Sequence, residues 1–424
     1  MLLAVKAGKE GPVFELFDKW DLDATIIGEF ESGENVRILD KGNELSSTPV
    51  AALTDAPEYR FSATKPSWLT SLQDADMNSV SLPGMSPADI IIRMLAAPNI
   101  ASKFPVFRQY DYHVQTNTVV EPGGDAAVLR LKGSTRGIAL STDCNGRICY
   151  LDPRIGTEIA VAEACRNLSV TGALPVALTD GLNFGDPETP DVQFQLTEAI
   201  KGMRKAAEAF GIPIVSGNAS MYNESSGTAI YPTPIIGSLG LFEDVAKHAT
   251  AGFKSAGDVI VLLGSDTTWD SINGLAGSEY LELIHGKVEG QPVLDLDLEV
   301  RVQAVCRDAV TNGLVSSAHD VSDGGIAIAI AECAIIGEIG ATITESPGHR
   351  WDAQLFGETQ SRILASVPPE NLNAVETLAA KQTVPMTSIG MVGGKTLSLG
   401  DEISLQLADA AEAWKNGFSK ATSG

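Results

Sequence analysis

The residues of this chain best suited to chemistry sit where apolar runs give way to glycine and asparagine. In residues 212–225, IPIVSGNASMYNES, an apolar strand leads into Ser216, Gly217 and Asn218. Gly217 lets a ligand come close to the backbone, and the amides around it could face a phosphate. Asn218 brings a neutral carbonyl oxygen, which Mg2+ accepts beside water and phosphate oxygens. An ordinary β-turn, which Ser-Gly-Asn makes readily, is the alternative reading of the same residues.

Two further strand ends share this character. Residues 178–187, LTDGLNFGDP, carry Asp180, Asn183 and two glycines, and residues 141–153, STDCNGRICYLDP, carry Asp143, Asn145 and Arg147. Three such segments within one domain make a ligand rim. PGGDAAVLRL, at 122–131, adds a glycine pair and Asp125 at a strand entrance, but the chain shows neither a Walker loop nor a dinucleotide fingerprint. In AHDVSDGG, at 318–325, His319, Asp320 and Asp323 precede an apolar helix. Capping of that helix explains the acids, with anion or metal contact as the alternative. The five histidines, at 113, 248, 285, 319 and 349, stand in no nucleophile-elbow context, so a Ser-His-Asp triad is not supported. Cys144 and Cys149 have no second pair or nearby histidine to complete a zinc site, and the five cysteines read as reduced, mostly buried thiols.

An α/β chain must position these residues. With 424 residues, 44% hydrophobic, 41 glycines and 21 prolines, several domains with tight connections are expected. A net charge of −24 with no basic run argues against nucleic acid and anionic membrane as partners. Met1–Val5 lacks the length of a signal peptide's apolar region and no cleavage site follows it; the most apolar helical stretch, Ile326–Ile336, is interrupted by Glu332 and far short of a bilayer span, so a cytoplasmic location is expected. Strands are expected at 126–131, 137–142 and 212–215. A helix capped by Thr157 ends before Gly172, and a second starts at Asp191, turns Phe194, Ile200, Met203 and Ala207 inward and stops at Gly211. A fresh α/β unit begins near Gly257, and the Pro- and Ser-containing stretch at 45–66 reads as a linker.

The chain also repeats itself. MLLAVKAGKEGPVFELFDKWDLDATIIGEF, from Met1, aligns without gaps to ILASVPPENLNAVETLAAKQTVPMTSIGMV, from Ile363. Val5 meets Val367, Val13 meets Val375, Leu16 meets Leu378 and Gly28 meets Gly390. The apolar phasing agrees through a strand, a helix and a second strand, predicted at 1–6, around 13–17 and at 24–28. The second copy follows a whole α/β unit, so Met1 is expected to stand within the tail of a domain.

In order along the chain, GGDAAVLRLKG, STDCNGRICYLDP, LTDGLNFGDPE, VSGNASMYNES, YPTPIIG, AHDVSDGG and FGETQSR resemble the phosphoribosylformylglycinamidine synthases. The resemblance is to the C-terminal half of the small-type synthetase subunit, within the aminoimidazole ribonucleotide synthetase superfamily, and covers essentially the whole chain. It implies an α/β (α+β) fold of tandem A–B modules with the first module largely missing. The tail of a first B domain would occupy 1–43, a linker 44–108, a second A domain 109–245 and a second B domain 246–424. Single-module members of the superfamily lack a preceding B-domain tail, so the repeat argues against them. The implied activity is that of a ligase in de novo purine biosynthesis. It makes formylglycinamidine ribonucleotide from formylglycinamide ribonucleotide, ATP and glutamine, by phosphorylating an amide oxygen that ammonia then displaces. Mg2+ is the implied cofactor. The implied partners are a glutaminase subunit, a small bridging subunit and the missing N-terminal half.

Residue by residue, the resemblance makes Asp180 and Gly217 ATP contacts, Asn218 a magnesium contact and Ser220 a substrate contact. Asp143, Asn145 and Arg147 stand where the other copy carries its catalytic Glu-Ser-His-Asn-His. No histidine is present there, so no catalytic residue is expected in this chain, which should be inactive alone. The alternative is a non-catalytic nucleotide-binding or scaffold chain with the same fold.

Overall fold

The structure, a computed structural model, describes residues 1–55 and 57–423. It divides into two compact units, Met1–Arg60 and Phe61–Gly424.

In Met1–Arg60 the elements are α1 (Glu10–Lys19), the antiparallel hairpin β1 (Asn35–Asp40) and β2 (Asn43–Pro49), and α2 (Val50–Thr54). The internal repeat aligns α1 with Leu372–Lys381, which is also a helix. The strands expected at 1–6 and 24–28 do not form, and Leu2, Leu3, Ile26 and Ile27 are exposed. The hairpin also overrides a boundary at residue 43, because β2 begins there.

Residues 67–107, expected within a linker, contain three α-helices. They form α3 (Ser67–Gln73), α4 (Pro87–Leu95) and α5 (Phe104–Phe107). Ser86 caps α4 by accepting from the Asp89 amide, and a proline opens its first turn. Ile90, Ile91, Met94 and Leu95 make one apolar face, buried in the same core as Tyr280, Ile326 and Ile330. Their burial is what the linker reading missed.

The first large sheet contains β3 (Thr118–Val120), β4 (Ala127–Arg130) and β5 (Gly137–Asp143). After α6 (Gly146–Leu151) and α7 (Pro153–Thr171) come β6 (Leu174–Asn183), α8 (Pro190–Phe210) and β7 (Ile214–Ser220). A small hairpin, β8 (Glu224–Ser225) and β9 (Thr228–Ala229), precedes β10 (Thr233–Phe242). The strand order is β3-β4-β5-β10-β6-β7. The β6–β7 pair is parallel, with α8 as its crossover, and the other pairs are antiparallel. Helix α7 starts before the expected Thr157. Asp152 caps it and Pro153 opens it, while the buried Thr157 hydroxyl donates back to the Pro153 carbonyl at 2.7 Å. Gly172 and Gly211, at φ 96° and 67°, end α7 and α8 as expected. Ile200 faces outward; Val192, Ala199, Met203 and Ala207 form the inner face of α8. Both helices cover one face of the sheet. On the other face, Leu140, Thr142, Ala177, Thr179, Val215 and Leu239 line an open groove of about 460 Å³.

The second large sheet opens with β11 (Val259–Leu263). There follow α9 (Glu279–His285), α10 (Leu296–Thr311), β12 (Ser317–Asp320), α11 (Gly325–Gly337), β13 (Ala341–Ile343) and α12 (Trp351–Phe356). The chain continues with β14 (Ile363–Val367), α13 (Leu372–Lys381), β15 (Met386–Val392), β16 (Thr396–Leu399), β17 (Ile403–Gln406) and α14 (Leu407–Thr422). The order is β12-β14-β11-β15-β13-β16-β17. Strands β14 and β15 are therefore not neighbours; each pairs antiparallel with β11 between them. These are the second-copy counterparts of the stretches at the start of the chain that stay unpaired. Among the described residues of Met1–Arg60, no strand takes the place of β11, so those stretches have no ladder to join. Helix α11 is apolar except at Glu332, in keeping with its burial nearly throughout. Among the described residues no helix is long and apolar enough to cross a membrane.

Candidate functional site

The parallel β6–β7 pairing builds the site. Its register sets Asp180 opposite Gly217, Gly181 opposite Asn218 and Asn183 opposite Ser220. Residues 216–218 are thus neither turn nor loop but part of a continuous strand at the sheet edge. Alternation then sorts the side chains. Asp180 lies beside Ile236 in the β6–β10 ladder, on the helix-covered face. Its carboxylate occupies the space over Gly217, where an added Cβ would stand 2.5 Å from Asp180 Cγ. Only glycine fits there unless the acid moves. Partial burial raises the Asp180 carboxyl above its ordinary value.

Asn218 and Ser220 project from the opposite face of β7. Asn218 Oδ1 lies 3.2 Å from a Cβ built on Gly181, beside the Asn183 amide. Asn183 Nδ2 is committed elsewhere, donating to the carbonyls of Gly181 at 2.8 Å and Thr233 at 3.2 Å. Ser220 is fixed by Asn223, whose Nδ2 donates to its carbonyl at 2.8 Å and its hydroxyl at 3.2 Å. The same Nδ2 reaches the Phe184 carbonyl at 3.1 Å, so Asn223 ties the ends of β6 and β7 together. Asn223 lies within residues 212–225, and sequence reasoning misses its role. Its spacing from Ser220, a side chain able to bond back three residues, was the available signal.

Among the described residues, no group of three or more His, Cys, Asp or Glu side chains could hold a metal ion. Asn218 presents one neutral oxygen on an open face. That suits an ion arriving with phosphate oxygens and water, and does not suit one held by the protein alone.

The structure brings the third motif to a different place. Asn145 caps α6, its Oδ1 accepting from the amides of Arg147 and Ile148, while its Nδ2 donates to Asp323 at 3.0 Å. The buried Arg147 donates to Glu279 at 2.5 Å and Glu282 at 3.0 Å, and lies 3.8 Å from Asp323. Burial first, and then the charges of Asp323 and Asp320, raise the Asp143 carboxyl well above the usual range. The buried Arg147 guanidinium joins the two domains here, and among the described residues its side-chain partners are carboxylates.

Two further joints between the domains carry buried charge. Arg166 on α7 is fully buried, and its Nη1 donates to both carboxylate oxygens of Glu299 of α10 at 2.9 Å. It also donates to Asp320 and, at 3.0 Å, to Gln360. His319 lies 2.7 Å from Asp125 and 3.3 Å from Glu332. The expectation that these acids cap a helix is therefore corrected. Asp320 pairs with Arg166, and the Gly324 amide at the start of α11 donates instead to Glu358 at 2.7 Å. Sequence reading missed Arg166 because a lone arginine in a helix looks like a solvated charge. Only the non-local packing of α7 on α10 and β12 shows otherwise.

Comparison with known proteins agrees with this architecture. The N-terminal domain of the AIR synthase related proteins matches residues 123–242, and their C-terminal domain matches residues 255–400. Phosphoribosylformylglycinamidine synthase subunit PurL of Caldanaerobacter subterraneus subsp. tengcongensis is 44% identical over 421 residues, covering 98% of this chain and 57% of that protein. The corresponding subunit of Thermosynechococcus vestitus is 45% identical over 415 residues, covering 94% of this chain and 54% of its own. The chain thus spans about half the length of the curated relatives it matches. Among solved structures, T. maritima PurL complexed with FGAR superposes with a TM-score of 0.61 at 18% identity, over 77% of this chain and 54% of that one. The ADP complex of the same protein gives 0.59 at 17% identity, over 78% and 52%. These superpositions establish the fold. With both domains matched in order, and identity above 40% to these subunits along almost its whole length, the chain belongs to the AIR synthase related family.

Proposed function

We propose that this chain forms the nucleotide- and substrate-facing second module of a phosphoribosylformylglycinamidine synthase. It works with a first A–B module, carried on a longer polypeptide or supplied as a separate chain, which contributes the acid–base groups. The carrying observation is the β6–β7 register. It sets the Asp180 carboxylate on Gly217 and places Asn218 and Ser220 in succession along the same edge strand. ATP meets the strand edge at the Gly217 backbone, with Asp180 reaching it from the helix-covered side and Asn218 from the other, and Ser220, held by Asn223, faces formylglycinamide ribonucleotide. Asn218 gives one oxygen to Mg2+. The ion, when bound, neutralises phosphate charge that a chain of net charge −24 would otherwise repel. The ammonia comes from glutamine through a glutaminase subunit joined by a small bridging subunit, in the cytoplasm. The Arg147 cleft takes no part in catalysis, since a guanidinium that always keeps its proton cannot serve as a base.

The test is formation of formylglycinamidine ribonucleotide from formylglycinamide ribonucleotide, ATP, Mg2+ and free ammonia. The chain alone is expected to give none, and a mixture with the N-terminal module of a relative is expected to give product. Ammonia bypasses the glutaminase, so its absence cannot explain a failure. Turnover by the chain alone would overturn the division of labour. An inactive mixture that also fails to bind Mg-ATP would favour the scaffold reading.

A further inference from the structure

We propose that Cys144 and Cys149 are a modification site, forming a reversible internal disulfide that loosens the joint between the two large sheets. Their sulfurs lie 4.0 Å apart, within one turn of the chain. A disulfide needs about 2 Å, so closure requires one residue to move. Cys149 is fully buried in α6, where α7 presses on its backbone: a Cβ added to Gly156 would stand 2.6 Å from Cys149 N and Cα. Cys144 is half-buried in the loop after β5, outside any helix or strand. Cys144 therefore moves.

The residues between the two thiols make the joint. Asn145 reaches Asp323 at 3.0 Å and caps α6, while Arg147 holds Glu279 and Glu282. Pulling Cys144 toward Cys149 shifts the adjoining Asn145, which loses the cap and the Asp323 contact together. The buried Arg147 already has no hydrogen bond at Nη2, which stands 3.8 Å from Asp323, and further loss around it leaves charge without compensation.

The reaction balances with glutathione disulfide as oxidant. The Cys144 thiolate attacks one sulfur of the oxidant and releases one glutathione thiolate. Cys149 then gives up its proton and displaces the second, leaving the Cys144–Cys149 bond and two reduced glutathiones. The hydrogen bond with Cys144, and then burial, hold the Cys149 thiol well above its ordinary value. That order of attack follows, with Cys149 as the resolving thiol.

The test treats the full chain with glutathione disulfide, followed by intact and peptide mass spectrometry and by hydrogen exchange. The expected result is loss of two hydrogens, a Cys144–Cys149 linked peptide, and reversal by dithiothreitol. Cys149→Ser should instead accumulate a stable glutathione adduct on Cys144, and Cys144→Ala should give neither product. Exchange in α9, which carries Glu279 and Glu282, should rise several-fold in the oxidised wild-type chain. A persistent adduct on wild-type Cys144, or no reaction, would overturn the bridge. A bridge with unchanged exchange in α9 would overturn its coupling to the joint.

Discussion

Replacing Arg166 with methionine tests whether buried charge holds the two large sheets together. The guanidinium and Glu299 are fully buried, and Asp320 nearly so. In Arg166→Met, Glu299 keeps only the Gln303 amide, at 2.7 Å, among these side-chain contacts. Asp320 loses its arginine while its second carboxylate oxygen already lacks a partner. Breaking such a pair from one side costs about 3–5 kcal/mol, because the remaining charge stays buried. With a urea dependence of about 3 kcal/mol per molar for a body of this size, the midpoint should fall by about 1–2 M near neutral pH. Acid should return part of the loss. Burial raises the Asp320 and Glu163 carboxyls above their unfolded values, although Arg166 works against this. A folded state whose carboxyls have raised pKa values binds more protons than the unfolded chain. Its stability is therefore greatest below the unfolded values and falls as pH rises through the raised ones. Without Arg166 those carboxyls rise further, so the gap between variant and wild type should narrow from pH 7.5 toward pH 5. Urea titrations followed by tryptophan fluorescence at both pH values decide it. A deficit under about 1 kcal/mol, or one indifferent to acid, would refute the reasoning.

Three further outcomes are expected. Asn218→Ala, on an exposed strand, should leave stability unchanged but weaken Mg2+-dependent ATP binding to the reconstituted enzyme by about 1–3 kcal/mol, read by calorimetry at several Mg2+ concentrations. Gly217→Ala should push Asp180 off its rotamer at about 0.5–1.5 kcal/mol, and Asp180→Ala in the same chain should restore that stability in a double-mutant cycle without restoring ATP binding. Burial opposes the charge on His319, but Asp125 foremost and Glu332 overcome it and hold the imidazole well above its ordinary value. That stabilisation is complete below the unfolded value and lost as pH rises through the folded one, so His319→Gln should cost about 1.5–3 kcal/mol at pH 6 and progressively less in alkali, by denaturant titration.

The grouping of the candidate residues was legible in sequence because it depends on short-range features. Gly217, Asn218 and Ser220 follow one another on one strand, and their neighbour Asp180 lies in a second motif of the same type. What the residues could not reveal was register. Whether Asp180 faces Gly217 or Asn218 depends on how β6 and β7 align, and a slip of one residue would reverse it. The same limit left the β-turn open as an alternative at 216–218, since Ser-Gly-Asn becomes strand only because β6 supplies partners. Charges gave the least warning. Arg147, Arg166 and His319 are spaced like surface residues, and only the approach of the two sheets turns them into buried pairs.

The internal repeat shows where legibility ends, because one pattern meets two environments. The helix appears in both copies with aligned ends, Glu10–Lys19 and Leu372–Lys381. Its hydrogen bonds run four residues along the same segment, so local sequence can form it anywhere. The strands behave differently. Val367 is fully buried in β14, whereas Val5 is 37% exposed; Ile389 is 1% exposed in β15, whereas Ile27 is 81% exposed. The apolar residues agree, but a strand's hydrogen bonds belong to another segment, and in the second copy that segment is β11. Residues 1–5 and 24–28 therefore have the composition of strands without the partner that makes them strands. The same reasoning applies to the candidate site. Among the described residues β7 is the edge strand of its sheet and takes its ladder from β6 alone, so Ser216, Gly217 and Asn218 are strand for the same reason that residues 363–367 are.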